Sequence, residues 1–359
     1  MTSQNGQTID IHEIISTVVE GRELNAAQAE AAMDAIMTGQ VTDAQIGALV
    51  TAMRMKGETI DEIAGFAQAM RDHALVVDVD SDERPLLDTC GTGGDHSNSF
   101  NISTTATFVI GAAGVRIAKH GNRAASSICG SADLLEALGV AVELTPSQVV
   151  ESVERVGIGF MYAPAFHPAM RFVGPARKQM GIRTIFNVLG PLTNPAGAKH
   201  QLIGVGHPGI ADKLAAVLAK LDSQHAVLVH SEEGLDEVGV KGQTQITEFD
   251  ARTGAIEHYT ITPEDFGLER GAPEDLRGGD AAENRRITLA VLNGERGPRR
   301  TVTLMNAGAG IYAANAADSF EDGVRMAAEA IDSGAALAKM EELVRVTQEL
   351  VTAEVEVSA

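Results

Sequence analysis

The chain has 359 residues, 44% of them hydrophobic, with 49 acidic against 28 basic side chains and a formal net charge of −21. That length allows one large or two unequal domains with a full core, and that charge argues against nucleic-acid binding, which needs basic surface. No apolar run reaches the ~18 residues of a membrane span, no secretory leader pattern is present, and Cys90 and Cys129 share no CxxC spacing; a cytoplasmic protein without membrane contact, zinc site or disulfide framework is expected.

Residues 9–75 read as helices only, with apolar positions at helical spacing in four segments. Gly21 ends the first, while Asn25 and Gly39 bracket the second. Thr42 with Gln45, and Thr59 with Glu62, have capping-box spacing and open the third and fourth. A small helical bundle is expected, suited to packing or dimerisation. From residue 86, strand-like and helix-like stretches alternate, the pattern of a parallel sheet with helices on its faces. The expected strands are 86–90, 115–121 (running into a loop), 141–145, 158–164, 201–207, 226–231, a hairpin at 244–250 and 255–260, and TVTLMNAG at 301–308. Helices are expected at 104–113, 131–140, 146–157, 210–221 and 285–294, with two more closing the chain. The segment 166–196 is rich in helix and loop signals and is expected to return to the helical bundle.

The stretch 86–114 organises the rest. A buried strand leads into Gly91, Gly93, Gly94 and Asp95, and a helix of small and apolar residues follows. Glycines let backbone N–H groups approach a ligand, and the helix start adds unpaired donors and a positive dipole end. The hydroxyls of Ser99, Ser103 and Thr104 add donors for phosphate oxygens. Asp95 would repel a bare phosphate but suits a hydroxylated phosphate ester, or one that brings its own metal. GxxxxGK[ST] is absent, so this is not a P-loop. The alternative is a tight strand-to-helix turn with glycines for geometry alone.

Three further features bear on that choice. KHGNRAASS at 119–127 offers a cation, an amide and two hydroxyls beside a glycine, a second wall for the same anion. Asp236 and Glu237 read as solvated turn residues or, beside a diphosphate, as Mg²⁺ ligands, since Mg²⁺ prefers one or two carboxylates plus phosphate oxygens. Arg177 could hold the carboxylate of an acidic co-substrate bidentately. Residues 96–132 hold no acid where an even spread would place about five, and residues 155–211 none where about eight are expected. Such cleared windows are either buried and glycine-rich or line a pocket for a polyanion. No zinc-binding spacing, Ser-His-Asp order or nucleophile elbow appears, and both cysteines read as inert core thiols.

GTGGD at 91–95, NIST at 101–104, KHGNRAASS at 119–127, GIRTIFNVLGPLTNPA at 181–196, LDEV at 235–238, LRGGDAAEN at 276–284 and NAGAG at 306–310 together resemble the anthranilate phosphoribosyltransferase family across nearly the whole chain. The resemblance implies an α/β fold: a small N-terminal helical domain and a larger domain with a mostly parallel central sheet, the active site at the hinge between them. Residues 1–80, joined by helices from about 165–200, would form the helical domain, and 81–359 the domain that binds phosphoribosyl pyrophosphate (PRPP). A cytoplasmic homodimer is implied, acting in tryptophan biosynthesis on PRPP and anthranilate. Gly91, Gly94, Asp95, Ser99, Asn101, Ile102, Ser103, Thr104, Lys119, His120, Gly121, Asn122, Arg123, Ala124, Ala125, Ser126, Ser127 and Ser131 would bind PRPP. Gly91, Asn122 and Arg177 would contact anthranilate. Two Mg²⁺ ions per subunit are implied, one on Ser103 and Glu237 and one on Asp236 and Glu237. No side chain is implied as a chemical catalyst; positioning and leaving-group stabilisation would carry the reaction. Two other activities share the fold. A pyrimidine-nucleoside phosphorylase would show a KxSTGG-type loop, which GTGGD does not match, and a non-catalytic nucleic-acid-binding relative would need a basic face.

Overall fold

The computed structural model describes residues 10–80, 84–124 and 128–358. Four helices come first: α1 (Ile11–Val19), α2 (Ala26–Met37), α3 (Asp43–Lys56) and α4 (Ile60–Asp72). Thr42 with Gln45 and Thr59 with Glu62 form the expected capping boxes, and Asn25 with Gln28 adds a third. Each satisfies N–H groups that a first helical turn leaves without partners. Glu62 also ties the bundle together. Buried, it accepts the Leu24 N–H at 2.9 Å and the Lys56 ammonium at 2.9 Å.

The α/β part runs β1 (Leu86–Gly91), α5 (Ile102–Ala112), β2 (Arg116–Gly121), α6 (Ser131–Leu138), α7 (Pro146–Val156) and β3 (Ile158–Tyr162). The chain then passes through α8 (Ala163–Phe166), α9 (Gly174–Met180) and α10 (Phe186–Leu189), which pack back towards the bundle as expected. It re-enters the sheet with β4 (His200–Gly204), α11 (Ala211–Lys220), β5 (His225–Ser231), β6 (Thr244–Asp250) and β7 (Ala255–Ile261). The helices α12 (Ala281–Leu292), α13 (Pro298–Ala313), α14 (Phe320–Asp332) and α15 (Ala335–Ser358) follow. No helix among the described residues is long and apolar enough to cross a membrane.

The seven strands form one sheet in the order β3-β2-β1-β4-β5-β6-β7, parallel as far as β5 and antiparallel beyond it. The chain lays β2 and β3 on one side of β1, then β4 and β5 on the other. Such a reversal opens a crevice beyond the C-terminal ends of the two central strands, where open sheets bind ligands. The GTGGD loop follows β1 into that crevice and docks on β4: the Thr92 N–H donates to the Gly204 carbonyl at 2.8 Å, and the Gly206 N–H to Thr92 Oγ1 at 2.9 Å.

Two cores sandwich the sheet. On one face, Leu87, Ile117, Leu202 and Val227 pack with Phe108 of α5 and with residues of α13, α14 and α15. On the other, Ile203 and Leu228 join Leu214 and Leu218 of α11, and this core runs without a break into Phe66, Ile63 and Met33 of the bundle. The helical bundle is thus anchored to the sheet through α11 and α4.

Two expected strands are not strands. Residues 301–308 lie inside α13, which is buried on nearly every side. A helix with no exposed face carries no 3.6-residue polar stripe, so the β-branched alternation Thr-Val-Thr-Leu looks strand-like although it is helical. Residues 141–145 form no strand either. The Ala141 N–H donates to Thr347 Oγ1 at 3.1 Å rather than to a neighbouring strand, and the stretch ends at Thr145, the N-cap of α7.

Candidate active site

The ends of β1 and β2, the start of α5, the 236–237 turn and the α8–α10 return enclose a cavity of about 900 Å³ between sheet and bundle. Gly91, Gly94, Asp95, Ser99, Asn101, Ile102, Ser103, Thr104, Lys119, His120, Gly121, Asn122, Ser131, Arg177, Asp236 and Glu237 line it. Arg123 and Ala124 do not, and Ala125, Ser126 and Ser127 lie outside the described residues.

One half of the cavity is backbone. Gly93 and Gly94 have φ of 64° and 78°, left-handed values that favour glycine. Nearby acids already engage the N–H groups offered here. Gly93 donates to Asp236 Oδ2 at 2.9 Å, and Ser103, in the first turn of α5, donates to Glu237 Oε1 at 3.1 Å. Asn101 leaves the helix start uncapped, because its amide instead donates to the Cys129 carbonyl and accepts from Asn284.

Two motifs singled out in the sequence without a role are braces. In LRGGDAAEN, the Leu276 carbonyl accepts the Phe100 N–H at 2.9 Å, and the Gly278 N–H donates to the Asn98 carbonyl at 2.9 Å. A Cβ on Gly278 would meet Phe100 Cα at 2.7 Å, so only glycine permits this approach. In NAGAG, Asn306 grips both sides of Val238, accepting its N–H and donating to its carbonyl, each at 2.9 Å. That fixes the turn carrying Asp236 and Glu237.

Burial pushes both acids above the usual carboxylate range. Repulsion from Asp95 adds to the effect on Asp236, and repulsion from Asp236 to that on Glu237, with Lys119 offsetting part of the latter. Concentrated negative charge of this kind favours a divalent cation. Among the described residues, no group of three or more His, Cys, Asp or Glu side chains is arranged to hold a metal. Two carboxylates and the Ser103 hydroxyl therefore suit an ion that completes its shell with ligand oxygens, as Mg²⁺ does.

Lys119 falls within the strand expected at 115–121 but is buried: it is 4% exposed and donates to the Thr89 carbonyl and, at 3.2 Å, to Thr89 Oγ1. Burial lowers its pKa while Asp88 opposes the shift. The Arg123 side chain departs from its expected role. It pairs with Glu136 of α6 and sits over the Tyr162 ring at 5.4 Å, drawn from the cavity by the nearest acids on α6. The Ala124 N–H is taken by Asp133 Oδ2 at 2.9 Å.

The other half of the cavity is made of side chains. Arg177 packs over Phe186, 5.6 Å from Cζ to the ring centroid, and burial lowers its pKa. Among the described residues no carboxylate pairs with it. The His120 and His167 rings lie 4.9 Å apart, tilted by 52° to each other, and each has a buried Nε2 with no hydrogen-bond partner among the described residues. Burial depresses His120 to about 3 and His167 to about 4, so both rings are neutral at pH 7. His167 and Arg171 also line the cavity; His167 goes unremarked in the sequence, and Arg171 counts only as one cation of an acid-free window. Their only signal was position within an acid-free window, since an isolated histidine or arginine has no diagnostic spacing.

The model of the glycosyl transferase family a/b domain matches residues 83–337, and that of the family's helical bundle domain matches 12–74. The anthranilate phosphoribosyltransferase of Thermomicrobium roseum is 51% identical over 347 residues, 96% of this chain and 99% of that protein. The chain belongs to the anthranilate phosphoribosyltransferase family. A crystal structure of the Thermus thermophilus member has a TM-score of 0.87 at 42% identity, covering 93% of this chain and 99% of that one. The Saccharomyces cerevisiae member, solved in complex with PRPP and Mg, has a TM-score of 0.86 at 28% identity, covering 95% and 98%.

Proposed function

We propose that this chain transfers the phosphoribosyl group of PRPP to the amine of anthranilate, giving N-(5-phosphoribosyl)anthranilate and pyrophosphate. One observation carries the reading: a single cavity joins a backbone anion cradle and a carboxylate pair to an arginine that pairs with no carboxylate among the described residues. A diphosphate fits the first half and an aromatic acid the second. Near-half identity to family members over their full length supports the same substrates.

The glycine loop, the start of α5 and Lys119 face the pyrophosphate, and Asp236, Glu237 and Ser103 hold Mg²⁺, two ions per subunit in the arrangement given above. Mg²⁺ there would neutralise the charge that grows on the departing pyrophosphate. Arg177 receives the anthranilate carboxylate in a fork, and Asn122 and Gly91 border the ring. The neutral Nε2 atoms of His120 and His167 offer polar contacts beside it. The amine is already a nucleophile, so no side chain needs activation. The chain's own contribution is alignment of the amine with the anomeric carbon and stabilisation of the leaving group by preorganised amides.

We place the domain boundary near residue 80, with 165–200 joining the helical domain. A cytoplasmic homodimer fits Cys90 and Cys129, which form no disulfide among the described residues, and the exposed Val19 and Met55 on the adjacent helices α1 and α3. The test is loss of anthranilate fluorescence on adding protein, PRPP and Mg²⁺, abolished by EDTA. An unchanged signal from folded protein with both substrates present would overturn the reading.

A further inference from the structure

The glycine loop is held from two sides. Towards the sheet, Gly93 donates to Asp236 and Thr92 to Gly204. Towards the helical half, one side chain holds it. Arg183 Nη2 donates to the Gly93 carbonyl and Nη1 to the Gly94 carbonyl, both at 3.2 Å. The guanidinium occupies the space a Cβ on Gly94 would need, so the contact requires glycine there. Arg183 is in turn held by Arg54 of α3, whose Nη1 donates to the Arg183 carbonyl. Arg183 follows Gly181, the left-handed residue (φ 62°) that ends α9. That helix carries Arg177, and its Met180 sulfur accepts the Thr51 hydroxyl of α3 at 3.9 Å.

These contacts have a geometric consequence. A peptide unit is a rigid, mostly trans plane, so a carbonyl pinned in one direction aims the following N–H the opposite way. Arg183 pins the carbonyls of Gly93 and Gly94, which sets the direction of the Gly94 and Asp95 N–H groups, on residues that line the cavity. A planar, preorganised fork of donors suits two successive carbonyls at once. Arg183 is exposed and supports no buried core. Neither it nor Arg54 lines the cavity. Building on the proposed function, we propose that Arg183 is a positioning residue that sets the phosphate loop from the helical side and couples that loop to the helix bearing Arg177.

Initial rates of the full-length chain over a grid of PRPP and anthranilate at saturating Mg²⁺ test this. Arg183→Ala is expected to raise the PRPP KM by about tenfold, the range for lost charge-assisted hydrogen bonds, and the anthranilate KM by about threefold. Its melting temperature should stay near that of the parent. Arg183→Lys, a single point charge, should fall between the two. Arg54→Ala should raise the PRPP KM in the same direction but by less, although Arg54 lines no part of the cavity. An Arg183→Ala protein whose PRPP KM stays within about twofold of the parent overturns the proposal, as does an effect confined to thermal stability. Should the parent transfer nothing, the proposed function fails instead. Calorimetric titration of PRPP with Mg²⁺ into parent and Arg183→Ala would then still decide the loop claim, weaker binding by the variant supporting it and equal binding overturning it.

Discussion

The two halves of the cavity are built from different materials. The phosphate half is peptide: left-handed glycines and the first turn of α5, braced by LRGGDAAEN and NAGAG. Two of its N–H donors are already engaged by Asp236 and Glu237. The helical half is side chain: among the described residues no carboxylate pairs with Arg177 and neither of two neutral histidines has a partner at Nε2. A ligand entering the first half exchanges existing hydrogen bonds, whereas one entering the second supplies bonds that are missing. Backbone cradles tolerate changes in surrounding side chains, so losses there should come through the acids and glycines. Losses in the helical half should follow single side chains.

The largest effect is expected from the acids. Asp236→Asn combined with Glu237→Gln should lower kcat/KM on the order of a thousandfold and move the Mg²⁺ titration to higher concentration. A metal titration that does not move would remove both residues as ligands. Arg177→Ala should raise the anthranilate KM by about thirtyfold, from loss of a charge-assisted fork, with the PRPP KM little changed. A loss in PRPP affinity alone would show that the two halves do not divide the substrates this way.

His167 separates the halves by acid sensitivity. Its imidazole titrates near 6.5 when unfolded and near 4 when folded, so the unfolded chain binds more protons between those values. Its stabilising contribution is therefore complete above about pH 6.5 and is lost as pH falls towards 4, about 3 kcal/mol in all. Urea denaturation at pH 7 and pH 4.5 should show a smaller pH dependence for His167→Gln than for the parent; parallel behaviour would place the acid sensitivity elsewhere. The smallest effect belongs to Arg123→Ala. Its solvent-exposed ion pairs contribute little to stability, and its side chain faces α6, so both KM values should stay within about twofold. A large rise in the PRPP KM would mean that the side chain turns into the cavity when ligand binds.

Much of this was legible in the residues because it is local. Capping boxes, left-handed glycines and helix starts involve neighbours in sequence, and Thr42–Gln45 and Thr59–Glu62 form as their spacing predicts. The alternation after residue 86 was enough to expect a parallel sheet, and the glycine loop identified its ligand-binding end. Local pattern failed where burial removed it, as in α13, and where an extended stretch gave its N–H to a distant threonine, as at Ala141.

Only the tertiary structure decided which distant residues meet. Asp236 lies 143 positions from Gly93, Glu237 lies 134 from Ser103, and Arg183 lies 90 from Gly93, yet each pair is joined by one hydrogen bond. The sheet order brings β1 and β4 side by side, and the α8–α10 return brings Arg177 and His167 to the same cavity and Arg183 onto the glycine loop. By itself, the sequence determined the kinds of groups available: amides freed by glycine, two adjacent carboxylates and a guanidinium in an acid-free window. Which of them face the ligand and which, like Arg123, are drawn away by a nearer acid depends on through-space distance, and no spacing along the chain encodes that.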